Sequence, residues 1–71
     1  MPNLFSSDEI IKVLAKRGFV FISQRGSHAK LRKVGNPTLI VIVPANKKEI
    51  PFGTFRSILR QSHLFENDFL D

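Results

Sequence analysis

Hydrophobic positions change their period along the chain, and each change predicts an element. Ile10, Ile11, Val13 and Leu14 recur at helical spacing. Just upstream, Ser6-Ser7-Asp8-Glu9 offers a serine with a glutamate three residues later, the reciprocal pattern of a capping box. Lys12, Lys16 and Arg17 stand toward the other end, where cations complement the helix dipole. Gly18 can take the left-handed conformation that closes a helix without a Cβ clash. The spacing predicts a helix over 7–17.

Phe19-Val20-Phe21-Ile22-Ser23 is short, apolar and rich in aromatic and β-branched residues, the signature of a strand. Arg25-Gly26-Ser27 is turn chemistry. From His28 to Lys33 the period becomes two: Ala29 and Leu31 point one way, while His28, Lys30 and Arg32 point the other. Gly35-Asn36-Pro37 marks a second turn. Thr38 to Val43 is almost wholly β-branched or aliphatic, which suits a central or well-covered strand. Pro44 ends it by withdrawing a backbone donor.

A polar loop with Lys47, Lys48 and Glu49 follows. A second helix is predicted to begin near Gly53-Thr54, with Thr54 as N-cap. Phe55, Ile58 and Leu59 mark its buried stripe, and Arg56 and Arg60, four apart, share a different, solvated face. The tail over 63–71 carries Leu64, Phe65, Phe69 and Leu70 and reads as a short turn of helix folding back on the core. There is no internal repeat, low-complexity stretch or linker.

The expected fold class is therefore α+β in the order α-β-β-β-α, a single domain over 1–71. Two short turns make the strands an antiparallel meander, and two amphipathic helices cover one face of the three-stranded sheet. The other face stays open, and the polarity of residues 28, 30 and 32 assigns them to it.

Composition narrows the function. A 71-residue chain buries only about 60% of the surface its unfolded form exposes, so the core is thin. The absence of cysteine removes disulfides, thiolate metal sites and cysteine nucleophiles together. Two histidines and six carboxylates argue against a structural zinc site, and no metal or small-molecule cofactor is expected. At 42% apolar with seven phenylalanines, the chain is too hydrophobic for a disordered peptide. No run approaches the roughly 18 apolar residues that span a bilayer, and Met1-Pro2-Asn3-Leu4 lacks the start of a signal peptide. A cytoplasmic protein without membrane contact is expected. Eleven Lys+Arg against six Asp+Glu give a formal charge of +5. That field attracts polyanions: nucleic acid first, an acidic protein second.

His28 is the residue on which chemistry would centre. Imidazole takes and gives protons near neutral pH. Here it follows a Gly-Ser turn, and Arg25, Lys30 and Arg32 flank it, cations able to hold a phosphodiester and neutralise charge developing on it. RNA carries its own nucleophile, the 2′-hydroxyl, so one base beside a phosphate clamp is sufficient without metal or covalent intermediate. By spacing alone, a plain surface histidine at a strand edge is the commoner explanation of such a residue. Ser27 either bonds a phosphate oxygen or simply closes its turn. Arg56, Arg60, Lys47 and Lys48 either contact phosphates or form a solvated face. Phe19, Phe21, Phe52 and Phe55 are stacking platforms or, more simply, core. His63 sits where a helix dipole favours it.

Taken together, Gly18-Phe19, Gly26-Ser27-His28 entering a strand, a β-branched strand ending at Pro44, and Gly53-Thr54-Phe55-Arg56-Ser57-Ile58-Leu59-Arg60-Gln61 resemble the HicA family of bacterial toxins. The resemblance runs from about Glu9 to Leu70. It implies a fold similar to a double-stranded-RNA-binding domain and cleavage of mRNA that halts translation and growth. It also implies a HicB-type antitoxin that masks the active site. The family's catalytic histidine, in Gly-Ser-His, falls on His28. Many relatives carry a histidine just after the proline ending the third strand; here Pro44-Ala45-Asn46 has none, which leaves His28 alone. Ser62-His63 stands where Ala-Gly often follows the glutamine. Two other readings use the same charge: a non-catalytic RNA-binding module, and a protein-interaction role with the basic face serving an acidic partner.

Overall fold

The computed structural model describes residues 4–70; Met1 to Asn3 and Asp71 lie outside the described residues, and with them the first and last residues of the expected domain and tail. Helix α1 spans Ser7–Lys16 and strands β1, β2 and β3 span Val20–Arg25, His28–Lys33 and Leu39–Pro44. Helix α2 spans Phe52–Ser62, and a 3-10 turn over Glu66–Phe69 closes the chain. The order α-β-β-β-α and the antiparallel three-stranded sheet are as the sequence predicts.

Helix α1 begins where its cap dictates. The Ser6 hydroxyl accepts from the Glu9 N–H at 3.1 Å, and the Glu9 carboxylate accepts from the Ser6 N–H at 2.8 Å. Two of the helix's orphan donors are thereby satisfied. The chain leaves α1 through Gly18, whose φ of 97° is glycine territory.

Both helices lie on one face of the sheet. Ile10 and Leu14 of α1 and Phe55 and Ile58 of α2 pack with Ala29, Leu31, Val41 and Val43, and all of them are buried. Phe19, Ile50 and Phe69 complete this cluster. Phe69 arrives from the 3-10 turn, so the expected folding back of the tail is observed. An Arg17–Asp68 ion pair at 3.1 Å fastens that turn to the end of α1.

Four expectations need correction. β3 is an edge strand, because two short connections on either side of β2 place β2 in the middle. β1 starts at Val20 and runs to Arg25, with Phe19 already in the core. α2 starts at Phe52, earlier than expected, and Thr54 is not its N-cap. Pro51, with φ −55° and ψ 145°, holds the cap position without a side-chain bond, and its carbonyl accepts from the Phe55 N–H at 3.0 Å. The fixed φ of a proline suits the start of a helix, and no side chain caps the first N–H groups of α2. His63 is the left-handed C-cap of α2, at φ 61°.

A β-bulge between Phe21 and Ser23 resolves a conflict in β1. The two-residue turn after Arg25 pairs Arg25 with His28 and so puts it on the open face. Strict alternation from there would bring Phe21 and Phe19 to the open face as well. The extra residue resets the phase. Phe21 then pairs with Leu31 on the helix side, and Val20 pairs with Arg32 on the open side.

Candidate nucleic-acid interface

The open face is built in three cross-strand rows. Register places Arg25, His28 and Pro44 in one, Ser23, Lys30 and Ile42 in the next, and Val20, Arg32 and Ile40 in the third. Directly opposite residues of antiparallel strands share a face, so the cations and the imidazole converge by pairing rather than by closeness in sequence.

The end of the sheet that carries His28 is tied down by bonds from the turn, from the residues after β3 and from α1. Gly26, at φ 56°, opens the tight turn into β2, and a single positive φ at the first central position is the hairpin geometry that glycine serves. The Gln24 amide donates to the Gly26 carbonyl at 3.2 Å. Across the sheet, the Ala45 N–H donates to the Ser27 carbonyl at 2.7 Å. The Ser7 hydroxyl, buried at the start of α1, donates to the Pro44 carbonyl and accepts from the Lys47 N–H at 2.9 Å. The Ser7 N–H in turn donates to the Lys47 carbonyl at 2.9 Å. One serine thus ties the first turn of α1 to the residue facing His28.

Ser23, Arg25, His28, Lys30 and Ile42 line a shallow open depression of about 450 Å³. Three of the residues named from sequence therefore meet in one place: His28, Arg25 and Lys30. Arg32 lies on the same face one row further on. Ser27 is exposed in the turn beside them. Lys47 and Lys48 are exposed in the loop beyond β3, with the Lys47 backbone held against α1. Arg56 and Arg60 are exposed on α2, behind the sheet, where the Arg60 guanidinium donates to the Ser57 hydroxyl at 3.3 Å. Neither pair lines the depression, and nor does His63. Ala45, where many relatives were expected to carry histidine, is buried.

Sequence reasoning missed Ser23, Ile42, Ser7 and Gln61. Ser23 shares the open face with Arg25 by simple alternation back from the turn, a phase that the apolar run before it disguises, and Ile42 reaches it through the β2–β3 register. Gln61 acts at the sheet edge, where its side-chain oxygen accepts from the Ile42 N–H at 2.9 Å. This satisfies an edge-strand donor and pins β3 to α2.

Two smaller hollows lie beside α1. One, of about 240 Å³, is lined by Phe5, Glu9, Lys12, Val13, Lys16 and Phe69. The other, of about 210 Å³, is lined by Val13, Lys16, Arg17 and Asp68. Their carboxylates are already engaged, Glu9 in the cap and Asp68 with Arg17. Among the described residues no three His, Asp or Glu side chains come together as a metal-binding group. No helix among them is long and apolar enough to cross a membrane.

Fold and site together define a small basic α+β protein with one imidazole set among cations on an uncovered sheet face. Residues 7–64 match the family model described as the HicA toxin of bacterial toxin-antitoxin, and the chain belongs to that family. It is a toxin of a toxin-antitoxin system, and an antitoxin partner follows in general terms. No curated protein matches the chain significantly.

Proposed function

We propose that the protein is a metal-independent endoribonuclease that cleaves mRNA in the cytoplasm, halts translation and growth, and is neutralised by a HicB-type antitoxin covering the open face. His28 is the general base. Its neutral imidazole takes the proton of a ribose 2′-hydroxyl, and the oxygen attacks the adjacent phosphorus as the bond to the 5′-oxygen breaks. The imidazolium so formed is the acid available to return a proton to the leaving oxygen. Arg25 and Lys30 hold the phosphate and offset the charge developing on it. Ser27 positions a phosphate oxygen from the turn. Arg32 extends the phosphate track, while Lys47, Lys48, Arg56 and Arg60 add sequence-independent attraction that salt screens.

The observation that carries this reading is the convergence of His28, Arg25 and Lys30 on one depression, in a chain of a toxin family. Ion-free conditions test it. RNA incubated with the purified protein in excess EDTA should be cut as fast as without chelator. Cleavage that stops in EDTA and returns with added divalent ion would contradict the metal-independent mechanism.

A further inference from the structure

The apolar run of β3 is not explained by burial. Val41 and Val43 face the helices and are fully buried, but Ile40 and Ile42 face the open side and remain 38% and 37% exposed. An antiparallel sheet with one wet face ordinarily alternates apolar and polar residues. β2 does so, with Lys30 and Arg32 opposite those two isoleucines. β3 is apolar on both faces though helices cover only one. A cationic column along β2 therefore runs beside an aliphatic column of Ile40, Ile42 and Pro44, in register.

We infer that the β3 column receives the bases of single-stranded RNA whose phosphates follow β2. The inference deepens the proposed activity and rests on RNA being the ligand of this face. Alternate residues of a strand stand about 6.8 Å apart, close to the spacing of successive phosphates in an extended single strand. The column from His28 past Lys30 to Arg32 is therefore long enough for about three consecutive phosphates, the scissile one lying between His28 and Lys30. The flanks differ: toward β1 the first two rows offer Arg25 and Ser23, toward β3 only aliphatic surface. Phosphates lie over β2 and the polar flank, and bases turn toward β3. A duplex keeps its base faces stacked inside, so it can meet the cations but not the aliphatic column; RNA readers that engage bases do so in unpaired segments. The contact is apolar and lacks a hydrogen-bonding pattern, so it favours unpaired nucleotides over paired ones without selecting a particular base. Ile40 and Ile42 are specificity-determining residues, and the protein binds single strands in spite of sharing its element order with a duplex-binding fold.

Binding of fluorescent 2′-O-methyl oligonucleotides, which lack the nucleophile, tests this on the full chain independently of cleavage. A single strand should bind about tenfold or more tightly than the same sequence as a blunt duplex, and than an abasic strand with equal phosphates, the worth of roughly 55 Å² of apolar surface buried. I40S/I42S, shown to be folded by circular dichroism, should bring base-bearing and abasic strands to equal affinity while leaving the salt dependence unchanged. K30A/R32A should instead lower the slope of log affinity on log salt by about 1.4, two phosphates of a single strand. Equal binding of base-bearing and abasic strands by the wild-type protein overturns the inference, as does duplex binding as tight as single-strand binding. So does affinity for an acidic protein through Ile40 and Ile42 with none for the oligonucleotides. The abasic comparison needs no variant, so misfolding of a mutant cannot obscure it. Base-dependent binding without cleavage of ordinary RNA would leave this surface standing and remove the nuclease reading; cleavage without base dependence would do the reverse.

Discussion

Ala29, Leu31, Val41 and Val43 are at most 1% exposed, whereas on the other side of the same two strands Lys30, Arg32, Ile40 and Ile42 are open to solvent. The first set meets Ile10, Leu14, Phe55 and Ile58 and holds the helices to the sheet. Among the described residues, the second set meets no other layer. One side of the sheet therefore carries stability and the other is free to carry ligand, and substitutions should separate the two.

The largest separation is expected between Leu31→Ala and Ile42→Ala, one on each face. Truncating Leu31 removes buried contacts and leaves a cavity, costing about 2–5 kcal/mol. In a small protein that approaches the whole stability. Ile42→Ala should cost about 1 kcal/mol or less, mainly strand propensity. Urea denaturation of the two variants checks this. Equal losses would mean that the open face is part of the fold's support.

Ser7→Ala tests the connection between the two sides. It leaves the Lys47 N–H and Pro44 carbonyl without their buried partner, at a cost of about 1–3 kcal/mol. Because Pro44 faces His28, RNA cleavage should fall more than RNA binding does. A stability loss with no change in cleavage rate would show that the serine serves the fold alone.

A smaller effect is expected at the turn that presents His28. Gly26 has φ 56°, and beyond its own and its two adjacent residues no heavy atom of the described residues lies within 4 Å of where a Cβ would be. Gly26→Ala is therefore penalised by backbone conformation alone, about 1 kcal/mol, with no steric clash. Thermal melting should show that modest loss. A destabilisation several times larger would mean that the turn is packed more tightly than its surroundings suggest.

What could be read from sequence followed interaction range. α1 was legible because Ser6, Glu9 and Gly18 act within a few residues of the helix they bound. The outward column of β2 was legible because alternation is local, and it correctly put His28, Lys30 and Arg32 on one face. The two short turns already imply an edge position for β3; its apolar run points the other way because apolar content signals only that a residue type suits a sheet, not which neighbour covers it. The bulge in β1 was equally hidden: it answers a conflict between the phase set by the turn at Gly26 and the burial of Phe19. Ser7 and Gln61 act across 37 and 19 residues, and no pattern along the chain announces such bonds. At α2, Thr54 has the residue type of a cap, yet the cap position falls three residues earlier, on Pro51.

The central claim is that His28 is the proton-transfer group of an RNA-cleaving site, and His28→Ala tests it most directly when cleavage and binding are measured on one preparation. His28 is exposed and outside the packed core, so the variant should melt like the wild type. Cleavage of ordinary RNA should fall at least about a hundredfold, the usual contribution of general acid–base catalysis, while affinity for the uncleavable single strand is retained. Wild-type cleavage by a folded His28→Ala protein would contradict the account.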